Sequence, residues 1–359
     1  MGMFDLNSIL RENIKVLKPY TAARDEYKGT EGTFLDANEN AFGSATADLH
    51  NRYPDPMQWE VKLALSKIKK IPAENIFIGN GSDEAIDILY RSFCRPSLDN
   101  AIITPPTYGM YEVSANINDV KLKKVPLNAD FDIEVDRILA FVDENTKMII
   151  LCSPNNPTGN HLKTADIVKI IETFSGIVAL DEAYIDFADE KSLLPFLLDY
   201  PNLVIMQTFS KAWGLANLRL GMAFASTEII KIMNKVKPPY NINGVSQKMV
   251  LEALGNEIKK NEYVANILIE RELLKKELEK LPIVTKIYPT DANFMLVKTN
   301  NGNKIYDYLI TQKVIVRNRS TVSQIEECLR ITVGTKEENE ILISALQQYE
   351  LLNVANGIN

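Results

Sequence analysis

The sequence predicts an α/β fold, with a mostly parallel central sheet covered by helices on both faces and a smaller α+β unit beside it. Three observations predict it. Short, wholly apolar runs alternate with helix-like stretches from about residue 72 to 225. After Pro238-Pro239-Tyr240 the texture changes to a Glu-, Lys- and Leu-rich segment. And 359 residues exceed one small core and suit one large plus one small unit.

The apolar runs are Ile76-Phe77-Ile78, Ala101-Ile102-Ile103, Met148 to Leu151, Ile177 to Leu180, Leu203 to Met206 and Met222-Ala223-Phe224. A strand that is apolar at every position is covered on both faces, as in a parallel sheet between helical layers. Helical patterns such as Asp83 to Phe93 and Thr164 to Phe174 separate the runs. Residues 245–280 lack proline, carry only Gly255, and read as one or two long helices. Beyond Pro282 the pattern predicts a strand at Asn293 to Val297 and a helix near Lys304 to Gln312. Strands at Val314 to Arg317 and Leu329 to Val333 follow, then a final helix. These elements place a large unit at 40–240 and a small one made from both chain ends, 1–39 and 241–359.

Composition narrows the function. Hydrophobic content of 46% and charged content of 24% are those of an ordinary water-soluble chain. A net charge of −7 without a basic run argues against nucleic acid or an anionic membrane as partner. Cys94, Cys152 and Cys328 are scattered and odd in number, which fits a reducing cytoplasm rather than a disulfide framework. With His50 and His161 the only histidines, no metal site or histidine triad is expected. No apolar run approaches the roughly 18 residues of a membrane span. The N-terminus lacks an apolar signal core, and Leu6 stands where Gly2 myristoylation needs Ser or Thr.

Open α/β sheets bind ligands at the carboxyl ends of their strands, so the residues after each run carry the argument. After Ile78 comes Gly79-Asn80-Gly81-Ser82-Asp83-Glu84. Two glycines permit a tight turn, Ser82 can cap the following helix, and that helix N-terminus suits a phosphate. After Ile103 comes Thr104-Pro105-Pro106-Thr107-Tyr108-Gly109, a stiff loop whose tyrosine can stack on a flat ring or simply pack in the core. After Leu151 comes Cys152-Ser153-Pro154-Asn155-Asn156-Pro157-Thr158-Gly159, a rigid loop in which Asn156 can donate to an oxygen anion. After Leu180 comes Asp181-Glu182-Ala183-Tyr184. An acid at the end of a buried strand needs a partner, and a protonated pyridine nitrogen is one; Tyr184 can serve the same ring's oxygen. After Met206 comes Thr208-Phe209-Ser210-Lys211-Ala212-Trp213-Gly214, with Arg219 eight positions beyond the lysine. A lysine in this small, apolar setting suits Schiff-base chemistry, and Ser210 and Arg219 can hold a phosphate. Each signal alone has a bland alternative, a capped helix, an ordinary turn or a surface lysine. Their succession at consecutive strand ends does not.

With these runs in place, the chain resembles the fold-type I pyridoxal-phosphate aminotransferases over essentially its whole length, and more narrowly the histidinol-phosphate aminotransferases. Further shared runs are Lys18-Pro19-Tyr20, Leu35 to Asn40, Asn51-Arg52-Tyr53-Pro54 and Leu329-Arg330-Ile331-Thr332-Val333-Gly334. The resemblance implies pyridoxal 5′-phosphate as cofactor and Lys211 as the Schiff-base lysine that also shuttles a proton. It implies that Asp181 pairs with the pyridinium, that Asn156 and Tyr184 hold the ring oxygen, and that Tyr108 stacks on the ring. Ser82, Asp83, Glu84, Ser210 and Arg219 are implied around the phosphate, with Tyr53 reaching it from the other subunit of a homodimer. Tyr20, Asn156, Arg317 and Arg330 are the implied substrate residues. Arg319, two positions from Arg317, is an equal candidate. Asn217 departs from the pattern, standing where these enzymes carry a small residue.

The implied reaction is amino transfer between L-glutamate and imidazole acetol phosphate in histidine biosynthesis, in the cytoplasm. Guanidinium forks suit it, since one site must take both carboxylates and a phosphate ester. Rivals on the same fold are a threonine-phosphate decarboxylase and an aromatic amino-acid aminotransferase. A non-catalytic cofactor-binding regulator is less consistent, because it would carry a basic DNA-binding domain ahead of this fold.

Overall fold

In a computed structural model, residues 4–20 and 32–355 are described; Gly2 lies outside them. Eleven strands occur among them: β1 (Ile76–Asn80), β2 (Asn100–Ile103), β3 (Lys121–Lys124), β4 (Thr146–Cys152), β5 (Ile177–Asp181), β6 (Leu203–Thr208), β7 (Leu220–Phe224), β8 (Val284–Ile287), β9 (Phe294–Thr299), β10 (Arg317–Asn318) and β11 (Cys328–Thr332). The helices are α1 (Leu6–Ile9), α2 (Glu12–Val16), α3 (Trp59–Lys69), α4 (Gly81–Phe93), α5 (Met110–Ile117), α6 (Val135–Ala140), α7 (Thr164–Thr173), α8 (Thr227–Val236), α9 (Gly244–Leu254), α10 (Glu257–Leu278), α11 (Gly302–Thr311) and α12 (Lys336–Ala355).

The large sheet has the order β1-β7-β6-β5-β4-β2-β3. All its strands run parallel except β7, which is antiparallel to both neighbours. Six strands therefore end at one edge, and β7 begins there. The apolar runs split by alternation between two helical layers. Ile76, Ile149, Leu151, Val178, Leu180 and Ile205 face α3, α6, α7 and α9. Phe77, Met148, Ile150, Ile177, Ala179 and Val204 face α4, α5 and α8. The small sheet, β10-β11-β9-β8, packs on α10, α11 and α12 through Met295, Val297, Leu329 and Ile331.

The two unpredicted strands are edge strands. β3 reads Lys-Leu-Lys-Lys and β8 Val-Thr-Lys-Ile, and neither has the apolar run of a covered strand. Lysines on an exposed edge discourage pairing with another chain. The strand expected at Val314 to Arg317 shortens to the two-residue β10. Residues 245–280 form two helices, broken near Gly255.

The N-terminal helices differ from expectation. Leu10 and Ile14 bury in the layer of α4, α5 and α8. The Arg11 side chain donates to Arg91 O at 2.7 Å, and Lys235 Nζ donates to Ile14 O at 2.7 Å. Residues 4–16 thus join the large sheet rather than the small one, because the open carbonyls at the end of α4 and an apolar groove capture them. Val250 and Leu254 of α9 likewise belong to the large core. Among the described residues no helix is long and apolar enough to cross a membrane, and no cluster of metal-ligand side chains occurs.

Candidate active site

The carboxyl ends of β1, β2, β4, β5 and β6 border one cavity of about 730 Å³. Ser82, Asp83, Tyr108, Asn156, Asp181, Tyr184, Ser210, Lys211, Arg219, Arg317, Arg319 and Arg330 line it. Arg219 reaches the same edge because β7 runs antiparallel, so the residue before that strand sits beside the ends of the others.

One end of the cavity is built for an anion. Gly81 takes φ +70°, and an added Cβ would meet the Arg219 guanidinium at 2.9 Å. Gly221 lets β7 pass against the start of α4, where a Cβ would come within 2.2 Å of Ser82 N. Helix geometry leaves the N–H groups of Ser82 and Asp83 without intrahelical partners, at the positive end of the helix dipole. Arg219 sits in the left-handed region at φ +54°, and its carbonyl accepts from Gly81 N at 2.6 Å. Its guanidinium lies 3.3 Å from Asp83 Oδ2, while Asp83 Oδ1 accepts from Tyr108 at 3.1 Å. The Asp83 carboxylate therefore orients Arg219 and Tyr108, and its backbone N–H is left open to an anion.

Two expectations here are corrected. Ser82 does not cap α4: the helix starts at Gly81, one residue earlier, so Ser82 lies in the first turn. Glu84 is absent from the cavity lining. Its Oε2 accepts from Asn80 N at 2.6 Å and Asn241 Nδ2 at 2.9 Å, which turns it back onto the strand–helix junction.

Asp181 lies at the cavity floor, 2% exposed. Burial raises its pKa to about 6, against the pull of two donors. Tyr111 donates to Oδ2 at 2.7 Å and Ala183 N to Oδ1 at 3.0 Å. The neighbouring Glu182 points to the other face, held by Gln207 and Leu193 N. Asn156 Nδ2 donates to the Tyr184 hydroxyl at 3.4 Å, and its Oδ1 accepts from Arg330 at 2.5 Å. Lys211 Nζ lies 5.5 Å above the Tyr184 ring. Burial first, then Arg330, lowers its proton affinity.

Arg317, Arg319 and Arg330 crowd the opposite end. Arg317 pairs in register with Arg330 across β10 and β11. Burial and mutual repulsion lower the proton affinity of Arg319 and Arg330. The Nε atoms of Arg319 and Arg330 are buried without a hydrogen-bond partner, and among the described residues no carboxylate pairs with any of the three. Three cations with open donors make a second anion site.

The structure does not bring Tyr20 or Tyr53 to the cavity of their own chain. Tyr20 is 74% exposed and Tyr53 51%, its ring stacked on Tyr240 at 4.4 Å. Asn217 is exposed and also lies outside the lining. Tyr111 is the site residue that motif reading missed, although its spacing from Tyr108 on an inward helix face was a signal.

A pyridoxal phosphate fits this donor set: an anion cradle at α4, a buried acid, a flanking tyrosine and a half-buried lysine sit around one space. The sequence matches the family described as aminotransferase class I and II over residues 13–346. A histidinol-phosphate aminotransferase of Cytophaga hutchinsonii is 58% identical over 346 residues, covering 96% of this chain and 99% of that protein. One from Bacteroides fragilis is 52% identical, covering 97% of this chain and 100% of its own. Among solved structures, the Sinorhizobium meliloti histidinol-phosphate aminotransferase in complex with pyridoxal-5′-phosphate superposes with a TM-score of 0.77. It is 24% identical and covers 87% of this chain and 89% of its own.

Proposed function

The chain belongs to the class I and II aminotransferase family, and on that premise we propose that it transfers an amino group between L-histidinol phosphate and 2-oxoglutarate. The products are imidazole acetol phosphate and L-glutamate, and histidine biosynthesis runs the reaction toward histidinol phosphate. The observation that carries the substrate is the second anion site, whose three guanidiniums can accept a phosphate ester or a carboxylate in turn.

Pyridoxal 5′-phosphate supplies an aldehyde carbon that takes the amine and a ring that spreads the electron pair left at the substrate α-carbon. The protein supplies the rest. Ser82 and Asp83 N–H, Ser210 and Arg219 hold the cofactor phosphate. Tyr108 would flank the ring, Asn156 and Tyr184 would hold its oxygen, and Asp181 would hold a proton at its nitrogen. Lys211 Nζ, its proton affinity lowered by burial and by Arg330, takes and returns a proton at the α-carbon. Arg330 and Arg319 hold the substrate anion. The buried, unpartnered Nε of Arg319 favours it over the exposed Arg317, which serves at the mouth.

A homodimer completes the reading. Phe42, Leu49 and Tyr53 precede α3 and are exposed, which supports a partner surface there, with Tyr53 and Tyr20 serving the other subunit's site. The enzyme works in the cytoplasm, as a large unit that includes residues 4–16 and α9, with a smaller C-terminal one.

The test is the visible band of cofactor-loaded protein on adding L-histidinol phosphate without keto acid. Loss of the band, and its return with 2-oxoglutarate, is the expected result. Loss only with tyrosine would overturn the substrate, and carbon dioxide release from O-phospho-L-threonine would favour the decarboxylase. A Lys211→Ala protein that still exchanged the amino group would overturn the mechanism.

A further inference from the structure

We propose that Tyr111 is a positioning residue whose phenol holds Asp181 in the orientation and charge that keep a proton on the cofactor's ring nitrogen. The inference rests on pyridoxal phosphate occupying the cavity as proposed above.

Tyr111 is fully buried on the inward face of α5, and its hydroxyl reaches Asp181 Oδ2 at 2.7 Å. Its ring meets Tyr108 edge-on, with centroids 5.5 Å apart, and its carbonyl accepts from Tyr90 at 3.1 Å. The donor is therefore fixed from three sides. The groups around Asp181 are Tyr111 from α5, Tyr108 from the loop before it, Ala183 N and Tyr184 from its own chain end, Cys152 from the adjacent β4, Asp83 from α4 and Lys211 after β6. Burial and Asp181 together push Tyr111 well above the ordinary phenol range. Tyr111 thus keeps its proton at neutral pH and can donate it to the acid, with the Cys152 thiol as its other neighbour.

A buried carboxyl tends to keep its own proton. When it shares one with a pyridine nitrogen, the proton rests on the group of higher affinity. The Tyr111 donor stabilises the carboxylate and so leaves the proton on the ring. Without it the proton moves toward Asp181, and the ring becomes a poorer electron sink.

The test is the ¹⁵N resonance of cofactor labelled at the ring nitrogen, bound to wild type and to Tyr111→Phe at neutral pH. Phe keeps the packing and removes only the hydroxyl. The expected result is a pyridinium resonance in wild type and a shift toward neutral pyridine in the variant, with kcat down about tenfold or more and KM near wild type. A fluorinated tyrosine at 111, a stronger donor of the same shape, should move the loss of the proton shared with Asp181 to lower pH, and decides the matter if the Phe variant does not fold. A resonance unchanged by these replacements would overturn the role and leave Tyr111 as core packing. Wild type that binds no pyridoxal phosphate would overturn the underlying reading instead.

Discussion

Gly221→Ala tests the anion cradle with one methyl group. The added Cβ would stand 2.2 Å from Ser82 N and 2.4 Å from Gly81 C, both backbone atoms. Carbon contacts settle near 3.5 Å, so strand and helix must part by about 1 Å. Overpacking of this kind costs about 1–3 kcal/mol in stability. The shift also carries the Ser82 and Asp83 N–H groups off the phosphate. Losing the equivalent of one or two charge-assisted hydrogen bonds removes about 3 kcal/mol of binding, near a hundredfold in Kd. Titrating cofactor-free protein with pyridoxal phosphate measures Kd, and urea unfolding measures stability. Gly244→Ala is the control, since its nearest neighbour is Pro54 Cβ at an ordinary 3.6 Å. A Gly221→Ala protein with wild-type stability, binding the cofactor within about threefold of wild type, would refute the close approach and the cradle built on it.

Asp181 makes cofactor-free protein pH-sensitive. Its folded pKa of about 6 lies above the ordinary 3.8, so the native state disfavours its ionisation. That cost is absent below pH 4, grows as pH rises to 6, and reaches about 3 kcal/mol above it. Urea unfolding across this range should show wild type losing stability relative to Asp181→Asn, and parallel curves would contradict the assignment. Arg319→Ala is expected to raise the KM for L-histidinol phosphate about a hundredfold, through lost charge-assisted hydrogen bonds. Arg317→Ala should cost about tenfold or less, mostly at low salt, and steady-state kinetics at two ionic strengths would expose a reversed order. Lys260→Met removes a partly buried pair with Asp186, N to O 3.0 Å, whose side chains are 11% and 18% exposed. It should cost about 2 kcal/mol in urea unfolding, and an unchanged midpoint would show that the pair contributes nothing.

The sequence by itself determined the layered fold, because covered strands must be apolar on both faces while helices repeat near every fourth residue. It also determined the chemistry at the strand ends. Asp181 follows an apolar run directly, and Asn156, Ser210 and Lys211 lie within five residues of one, so local pattern and site lie close together. The edge strands β3 and β8 were not legible, since a half-solvated strand carries no apolar run. The site residues that escaped the pattern are those whose role depends on direction. Glu84 sits one residue from Asp83, yet a helix turns successive side chains by about 100°, and Asn241 from a distant loop captures it. Tyr111 gains its role only because α5 packs over the end of β5, 70 positions away in sequence. The preference proposed for Arg319 over Arg317 rests on the depth of each side chain, which follows from β10 and the loop after it. Sequence spacing carries residue type and period; the aim of a side chain across a cavity is a property of packing, and only the tertiary structure decided it.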